Sequence, residues 1–321
     1  MQGICNLGST CAINSLIQIL YRNEKIKKAI MNSPISVVSS SSPIITNELR
    51  EIFEIMDKNQ SQTIQPHKFI NSFYELFAGI FIKYEQIDIN ELWMFLFEKI
   101  NEETSIANEL NINPISNINQ EHDMKINIYN NKKESELLKK VQGSFINIIQ
   151  CCNCNHKSYS FEPFINISVD ITDEDENQKT LVNMIINHFK VEIREDDWKC
   201  DNCKNNCKYL KTVRLWKLPE VLFITLNRFK DMDRKNNEEI IINDVLNFNK
   251  GSVMSLNEDK LYLLTSMGLH SGSLMGGHYT SLCKNQDEFY LYNDEYIKPI
   301  KREELGVINM NSVYMVVYEL S

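Results

Sequence analysis

Cys11 stands between a glycine-containing turn, Gly8-Ser9-Thr10, and an apolar series at helical spacing, Ile13, Leu16, Ile17 and Leu20. The spacing predicts a helix that starts at or near Cys11, with a hydroxyl of the turn as its cap. Unpaired amides and the macrodipole at a helix N-terminus favour a thiolate, the nucleophilic form of cysteine. Taken alone, the segment fits a buried core cysteine equally well, and a partner base decides between the two. His278 follows Gly276-Gly277 and begins a strand. Asn293-Asp294 closes the next strand, "EFYLYN", so an antiparallel hairpin would set that amide or carboxylate beside the imidazole. Cys, His and Asn or Asp, in that chain order, match nucleophile, general base and orienting group in thiol-dependent acyl transfer.

A second group of residues has metal-ligand spacing. Cys151-x2-Cys154 and Cys200-x2-Cys203 form two knuckles 45 residues apart. Each supplies two thiolates to one tetrahedral Zn2+, and the wide gap requires two hairpin tips to meet in space. Four thiolates leave no coordination position open, which makes the zinc structural. Cys152, Cys207 and His156 lie nearby, but Cys152 is too close to Cys154 to form a standard knuckle. No His/Glu constellation for a catalytic metal occurs outside the knuckles.

The elements that must carry these residues change type along the chain. Residues 1–100 read as mainly helical, with a polar loop at 33–43, "SPISVVSSSSP". Residues 101–135 are rich in Asn and Ile and read as a loose insertion or linker. From about 144 the pattern turns to strands, including "SFINIIQC", "VLFITLNRF", "HYTSLC" and "SVYMVVYEL", with a short helix at 180–189 after an acidic loop at 173–176. The expected class is α+β, helices first and a mainly antiparallel sheet after. At 321 residues, 43% hydrophobic and 24% charged, the chain can bury a large core. No apolar run is long enough for a membrane span, and residues 1–20 lack the basic and apolar regions of a signal peptide. An intracellular chain is therefore expected, with nine cysteines serving metal or catalysis rather than disulfides. A net charge of −9 argues against nucleic acid as the main partner and suits a basic protein ligand.

With these residues in view, the chain resembles the ubiquitin-specific proteases, papain-like deubiquitinases. "GICNLGSTCAINSLIQIL" is similar to the family's Cys box, and "YEQIDINELWMFL" at 84–96 to its Gln-Gln-Asp box. The segments around the cysteine knuckles resemble its zinc knuckles, and "KLPEVLFITLNRF" its Leu-Pro-x-Val-Leu segment. "YLLTSMGLHSGSLMGGHYTSL" through "YNDEYI" is similar to its His box. The resemblance implies a single catalytic domain over 1–321. It divides into a helical thumb at about 1–110, zinc-bearing antiparallel fingers mainly at 144–230 and a palm mainly at 231–321, with a variable insertion at 101–140. It implies hydrolysis of the isopeptide or peptide bond after the C-terminal glycine of ubiquitin, in the cytoplasm or nucleus, with neither nucleic acid nor membrane as partner.

Residue by residue, the resemblance makes Cys11 the nucleophile, His278 the base and Asn293 the third triad member. Asn6 becomes the oxyanion-hole side chain, and Asp294 a neighbour acting around that hole or through ordered water. Asp88 and Glu91 become carboxylates for ubiquitin's basic tail. His270 and Tyr279 line the tail channel, and Gly276 and Gly277 let the backbone approach the tail's terminal glycines. Independently, Ile89, Trp93, Leu96 and Ile100 form one apolar helical stripe, with Asp88 and Glu91 together on another face. Ala12, Ser9 and Ile87 depart from the usual aromatic, Asn and Gln of the family, and none removes a catalytic group. The chain opens at the Cys box, so no N-terminal regulatory or targeting domain is expected. The alternatives are a protease for another ubiquitin-like modifier and an inactive ubiquitin-binding module.

Overall fold

Helix α1 (Cys11–Arg22) is buried at every residue from Cys11 to Tyr21. Its sequence explains this: small or apolar side chains surround the axis, and such a helix is stable only between two covering layers. The two buried amides find backbone partners, Gln18 Nε2 donating to Gln2 O at 2.9 Å and Asn14 Nδ2 reaching Cys5 O at 3.3 Å. Asn23 then ends α1 and caps α2 (Glu24–Asn32), accepting from Ile26 N at 3.0 Å.

The computed structural model describes residues 1–36, 43–58, 62–110, 115–171, 179–195, 198–231, 234–248, 260–273, 276–301 and 310–321. Most of the polar loop at 33–43 and all of the acidic loop at 173–176 lie outside the described residues. On one side of α1 stand α2, α3 (Ile45–Asp57), α4 (His67–Leu76) and α5 (Ile89–Thr104). The stripe of Ile89, Trp93, Leu96 and Ile100 is buried, as its spacing predicts, and Trp93 stacks on Phe223 of the sheet at 4.5 Å.

Residues 101–135 are not a loose insertion throughout. They contain the end of α5, the paired strands β1 (Ile106–Ala107) and β2 (Lys133–Glu134), and α6 (Ile118–Tyr129), with α7 (Glu136–Val141) following. Helix α6 has weak apolar periodicity and docks through polar anchors, which hides it from hydrophobic patterning. Asn117 caps it, His122 is buried beneath it, and Asn130 exchanges two amide hydrogen bonds with Gln142.

The later chain forms β3 (Gly143–Cys151), β4 (Lys157–Phe164), β5 (Ile167–Asp170), helix α8 (Leu181–His188), β6 (Glu192–Arg194) and β7 (Tyr209–Lys217). Then come β8 (Val221–Asn227), β9 (Phe229–Asp231), β10 (Arg234–Lys235), β11 (Val245–Phe248) and β12 (Lys260–Ser273). The last are β13 (Gly276–Asn285), β14 (Glu288–Asn293), β15 (Tyr296–Ile300) and β16 (Val313–Leu320). Among the described residues two sheets dominate. One runs β15-β14-β13-β12-β16-β8-β5 with β11 on β12, antiparallel except for the β5–β8 pair. The other, β4-β3-β7-β6, is antiparallel throughout and carries the first cysteine knuckle at the end of β3. Apolar clusters cover both faces of the large sheet, one including α1 and α5, the other including α8. Its α1 face holds β13 and β14 against the nucleophile helix.

Candidate active site and metal centre

The loop before α1 is built on Asn6. Its Oδ1 accepts from Gly8 N at 3.0 Å, Thr10 N at 3.3 Å and Thr10 Oγ1 at 3.3 Å, across a turn in which Gly8 and Ser9 take positive φ (+95° and +53°). Thr10 Oγ1 also accepts from Leu7 N at 3.0 Å, so this hydroxyl is engaged in the loop and makes no cap bond to the helix. The expected hydroxyl cap is therefore not formed. The first intrahelical bond is Asn14 N to Thr10 O at 2.9 Å, and the amides of Cys11, Ala12 and Ile13 precede it. That end of α1 keeps donors free for an anion.

His278 lies opposite Ser271 in the β12–β13 ladder, and its Nε2–H donates to Asn293 Oδ1 at 2.7 Å. Nδ1 is thereby left as the nitrogen that can take the thiol proton. The hydrogen bond with Cys11 is the largest cause raising the imidazole's pKa to about 9 from an ordinary 6.5, against partial burial, with help from Asn293 and the Asp294 charge. Cys11 itself is buried, 2% exposed.

Asp294 is the junction of the site. Its carboxylate accepts from Asn6 Nδ2 at 2.9 Å on one oxygen and from Asn14 Nδ2 at 2.8 Å on the other. The first oxygen stands 4.0 Å from His278 Nε2. Strand alternation would let only one of Asn293 and Asp294 face the imidazole, yet both do. The strand ends at Asn293, and Asp294 takes a φ of +49° in the turn to β15, which breaks the alternation. Ile4 N donates to Asp294 O, and Asn6 N to Glu295 Oε1 at 2.8 Å, tying this turn to the chain before the nucleophile. Asn14 went unnoticed in the sequence, although it lies one helical turn beyond Cys11, a spacing that puts both on one face.

The structure gives Asp88 and Glu91 different roles. Asp88 caps α5, its Oδ1 accepting from Asn90 N at 2.8 Å and Glu91 N at 3.0 Å, and its Oδ2 accepts from Tyr314 OH. Glu91 is exposed in the first turn. Tyr314, which no local pattern marks, links Asp88 to a ring cluster with Tyr279 (6.0 Å) and His270 (6.2 Å). His270 and Tyr279 are each 3% exposed and their rings meet at 4.6 Å, tilted by 40°, so they support any channel from beneath rather than forming its surface. Burial, with the nearby charges of Lys235 and His278, pushes the His270 pKa down to about 4. A Cβ at Gly277 would stand 2.1 Å from His270 Nε2, whereas one at Gly276 would meet nothing within 4 Å. The glycine requirement at 277 thus comes from the His270 ring and the Ser271 carbonyl, and Gly276 has no steric demand of its own.

The two knuckles meet as the spacing requires. The sulfurs of Cys151, Cys154, Cys200 and Cys203 all lie within 4.8 Å of one another, a cluster able to hold a metal ion. The separations of 3.9 Å (Cys151–Cys203) and 3.7 Å (Cys154–Cys200) match the edge of about 3.8 Å for a tetrahedron with metal–sulfur bonds near 2.3 Å.

A cysteine at an uncapped helix N-terminus, an imidazole on the facing sheet and a four-cysteine cluster on a separate antiparallel sheet are set in a mixed α/β fold. The model of the ubiquitin carboxyl-terminal hydrolase family matches residues 2–318, and the chain belongs to that family. It is 24% identical to human ubiquitin carboxyl-terminal hydrolase 2, over 100% of this chain and 55% of the relative. It is likewise 24% identical to ubiquitin carboxyl-terminal hydrolase 8 of Saccharomyces cerevisiae, over 95% and 68%. The chain thus spans about half the length of the first of these relatives. The fold is similar to that of a chain in the structure of the SAGA Ubp8/Sgf11/Sus1/Sgf73 DUB module bound to ubiquitin aldehyde, with a TM-score of 0.78 at 21% identity, covering 100% of this chain and 70% of that one. No helix among the described residues is long and apolar enough to cross a membrane.

Proposed function

We propose that this chain is a cysteine-type deubiquitinating peptidase that cleaves the bond after ubiquitin's C-terminal glycine. The observation that carries the reading is Cys11 at the free N-terminus of α1, beside a His278 ring whose pKa it raises and which Asn293 holds. The Cys11 thiolate attacks the glycine carbonyl, forming a carbon–sulfur bond. The second Nδ2 proton of Asn6 and the Cys11 backbone N–H hold the oxyanion. Imidazolium His278 gives its proton to the departing lysine amine, and the neutral ring then draws a proton from the water that hydrolyses the thioester. Asn293 fixes the ring orientation, and Asp294 fixes Asn6.

In this reading α1–α5 form the thumb, β3, β4, β6 and β7 belong to the fingers, and the sheet around β12–β16 forms the palm. Zn2+ held by Cys151, Cys154, Cys200 and Cys203 would cross-link the fingers and supply no reactive position. Glu91, exposed beside the Asp88 cap, is the carboxylate free to meet the tail's arginines. The nine cysteines, none in a disulfide, support an intracellular setting, in cytoplasm or nucleus.

The test is labelling by ubiquitin and by other ubiquitin-like proteins carrying a C-terminal electrophile, with the adduct mapped by mass spectrometry. Ubiquitin is expected to label Cys11 alone. An adduct that survives Cys11→Ala overturns the site, and labelling only by another modifier reassigns the substrate.

A further inference from the structure

A fifth thiol touches the metal cluster. Cys207 Sγ lies 3.3 Å from Cys151 Sγ, closer than the cluster separations of 3.7 and 3.9 Å. That is too short for a tetrahedral edge of about 3.8 Å, so Cys207 does not share a metal with Cys151 on neighbouring vertices. It is placed there by the ladder. Cys151 opposes Tyr209 at the end of the β3–β7 pair, Cys152 N donates to Lys208 O at 3.1 Å, and Cys207 N donates to Trp198 O at 3.1 Å. The two sulfurs differ in access, since Cys151 is fully buried and Cys207 is partly exposed.

We propose that Cys207 is an oxidation site whose product is a Cys151–Cys207 disulfide that releases the bound zinc. The proposal rests on the zinc reading given above. A peroxide meets the accessible thiol first. The Cys207 thiol gives up its proton, the thiolate attacks one peroxide oxygen, the O–O bond breaks, and Cys207 becomes a sulfenic acid as hydroxide leaves and takes up that proton as one water. The Cys151 sulfur, already in contact, attacks the sulfenic sulfur. The S–O bond breaks, hydroxide leaves and takes up a proton as the second water, and the S–S bond forms. Two thiols are oxidised and one peroxide is reduced to two waters. The sulfurs must close by about 1.3 Å to reach the disulfide length of about 2.0 Å. Cys151 is then lost as a thiolate donor, and three thiolates hold the ion less tightly. Cys152 is exposed and is the sequence neighbour of Cys151.

The experiment uses the full chain carrying Cys11→Ala, loaded with zinc, and compares it with versions that add Cys207→Ser or Cys152→Ser. Hydrogen peroxide is added, zinc release is followed with a chromogenic chelator, and disulfides are mapped by mass spectrometry without reduction. Zinc release is expected to slow at least about tenfold with Cys207→Ser and to stay unchanged with Cys152→Ser, since an adjacent accessible thiol speeds disulfide closure. A 151–207 linked peptide should appear in step with release, and a dithiol should restore zinc binding. Release at the original rate from Cys207→Ser, or disulfides only within the two knuckles, overturns the proposal. A Cys207→Ser chain that binds no zinc before oxidation also overturns it, because Cys207 would then be a ligand. If the parent chain holds no zinc the metal reading fails instead, and the disulfide map still decides the pairing.

Discussion

Among the described residues, two histidines stand between a side-chain acceptor and a nucleophile-type side chain, and their surroundings differ. His278 lies between Cys11 and Asn293. His122 lies between Asp123, whose Oδ1 accepts from Nδ1–H at 2.9 Å, and Ser144, whose hydroxyl donates to Nε2 at 2.8 Å. By chemistry of side chains the second array is the more familiar Asp-His-Ser. Burial of the nucleophile does not separate them, since Cys11 is 2% and Ser144 1% exposed. Nor does space, for His122 and Ser144 line a cavity of about 290 Å³. The backbone does. Ser144 lies inside β3, laddered to β4 on one edge and β7 on the other, whereas Cys11 begins a helix whose first amides have no intrahelical partners. Backbone amides free to meet an oxyanion are therefore present at the start of α1, whereas Ser144 sits within a strand paired on both edges. The imidazoles differ too: the His278 side chain is 43% exposed and the His122 side chain 4%. Its interaction with Cys11 raises the pKa of the first, and burial lowers the pKa of the second. A correct order of side-chain hydrogen bonds is therefore not sufficient for catalysis.

Substitution at the two nucleophile positions should break the comparison most widely. Cys11→Ala is expected to reduce turnover of a ubiquitin C-terminal reporter by about 10⁴-fold or more, and Ser144→Ala to leave it within about twofold. Equal losses at both positions would mean that the array around His122 takes part in the reaction.

Removal of the orienting groups comes next in size. Asn293→Ala should lower kcat by about 100-fold, with Asn293→Asp largely active, while Asp123→Ala leaves kcat unchanged. Asp294→Ala should cost about tenfold, through loss of the Asn6 and Asn14 contacts. A larger loss at Asp294 than at Asn293 would make Asp294 the orienting group.

The two imidazoles should carry opposite pH signatures. With its pKa raised to about 9, His278 contributes stability fully present below 6.5 and lost as pH rises through 9. His122, lowered from 6.5 by burial, contributes stability present above 6.5 and lost as pH falls below it. Ring-proton titration by NMR reads both directly, and kcat/KM should decline on the alkaline side near pH 9. Titration of both rings near 6.5 would remove the electrostatic half of the contrast.

The smallest effect expected is on stability alone. Ser144→Ala takes the donor from buried His122 Nε2 and should destabilise the chain by about 1–3 kcal/mol, measured by urea unfolding. No change in stability would mean that the His122 array does not anchor α6.

Much of the candidate site was legible because it is coded locally. Cys11 is marked by the turn and the apolar series after it, His278 by its glycines, and the four cysteines by their knuckle spacing. The strands and α5 follow from period-2 and period-3.6 patterns that burial enforces. Helix α6 was not legible, because His122 and the Asn130–Gln142 pair anchor it in place of an apolar stripe. Asp88 was read as a free carboxylate, although a residue just ahead of an apolar helical series is also at a capping position. Its second partner, Tyr314, is 226 residues away.

By itself, the sequence determined which residue types were available, where α1 and α5 run, and that two thiol pairs could share one ion. Those properties depend on neighbours within a few residues, where backbone geometry is nearly fixed. Only the tertiary structure decided that Asn293 and Asp294 both face His278, because the φ of Asp294 is set by its turn and by its ties to residues 4 and 6. It alone decided that Asn14 joins the network, that Gly277 yields to the His270 ring and that Cys207 rests against Cys151. Each of these is a contact between segments distant in the chain, set by how the sheets and helices pack.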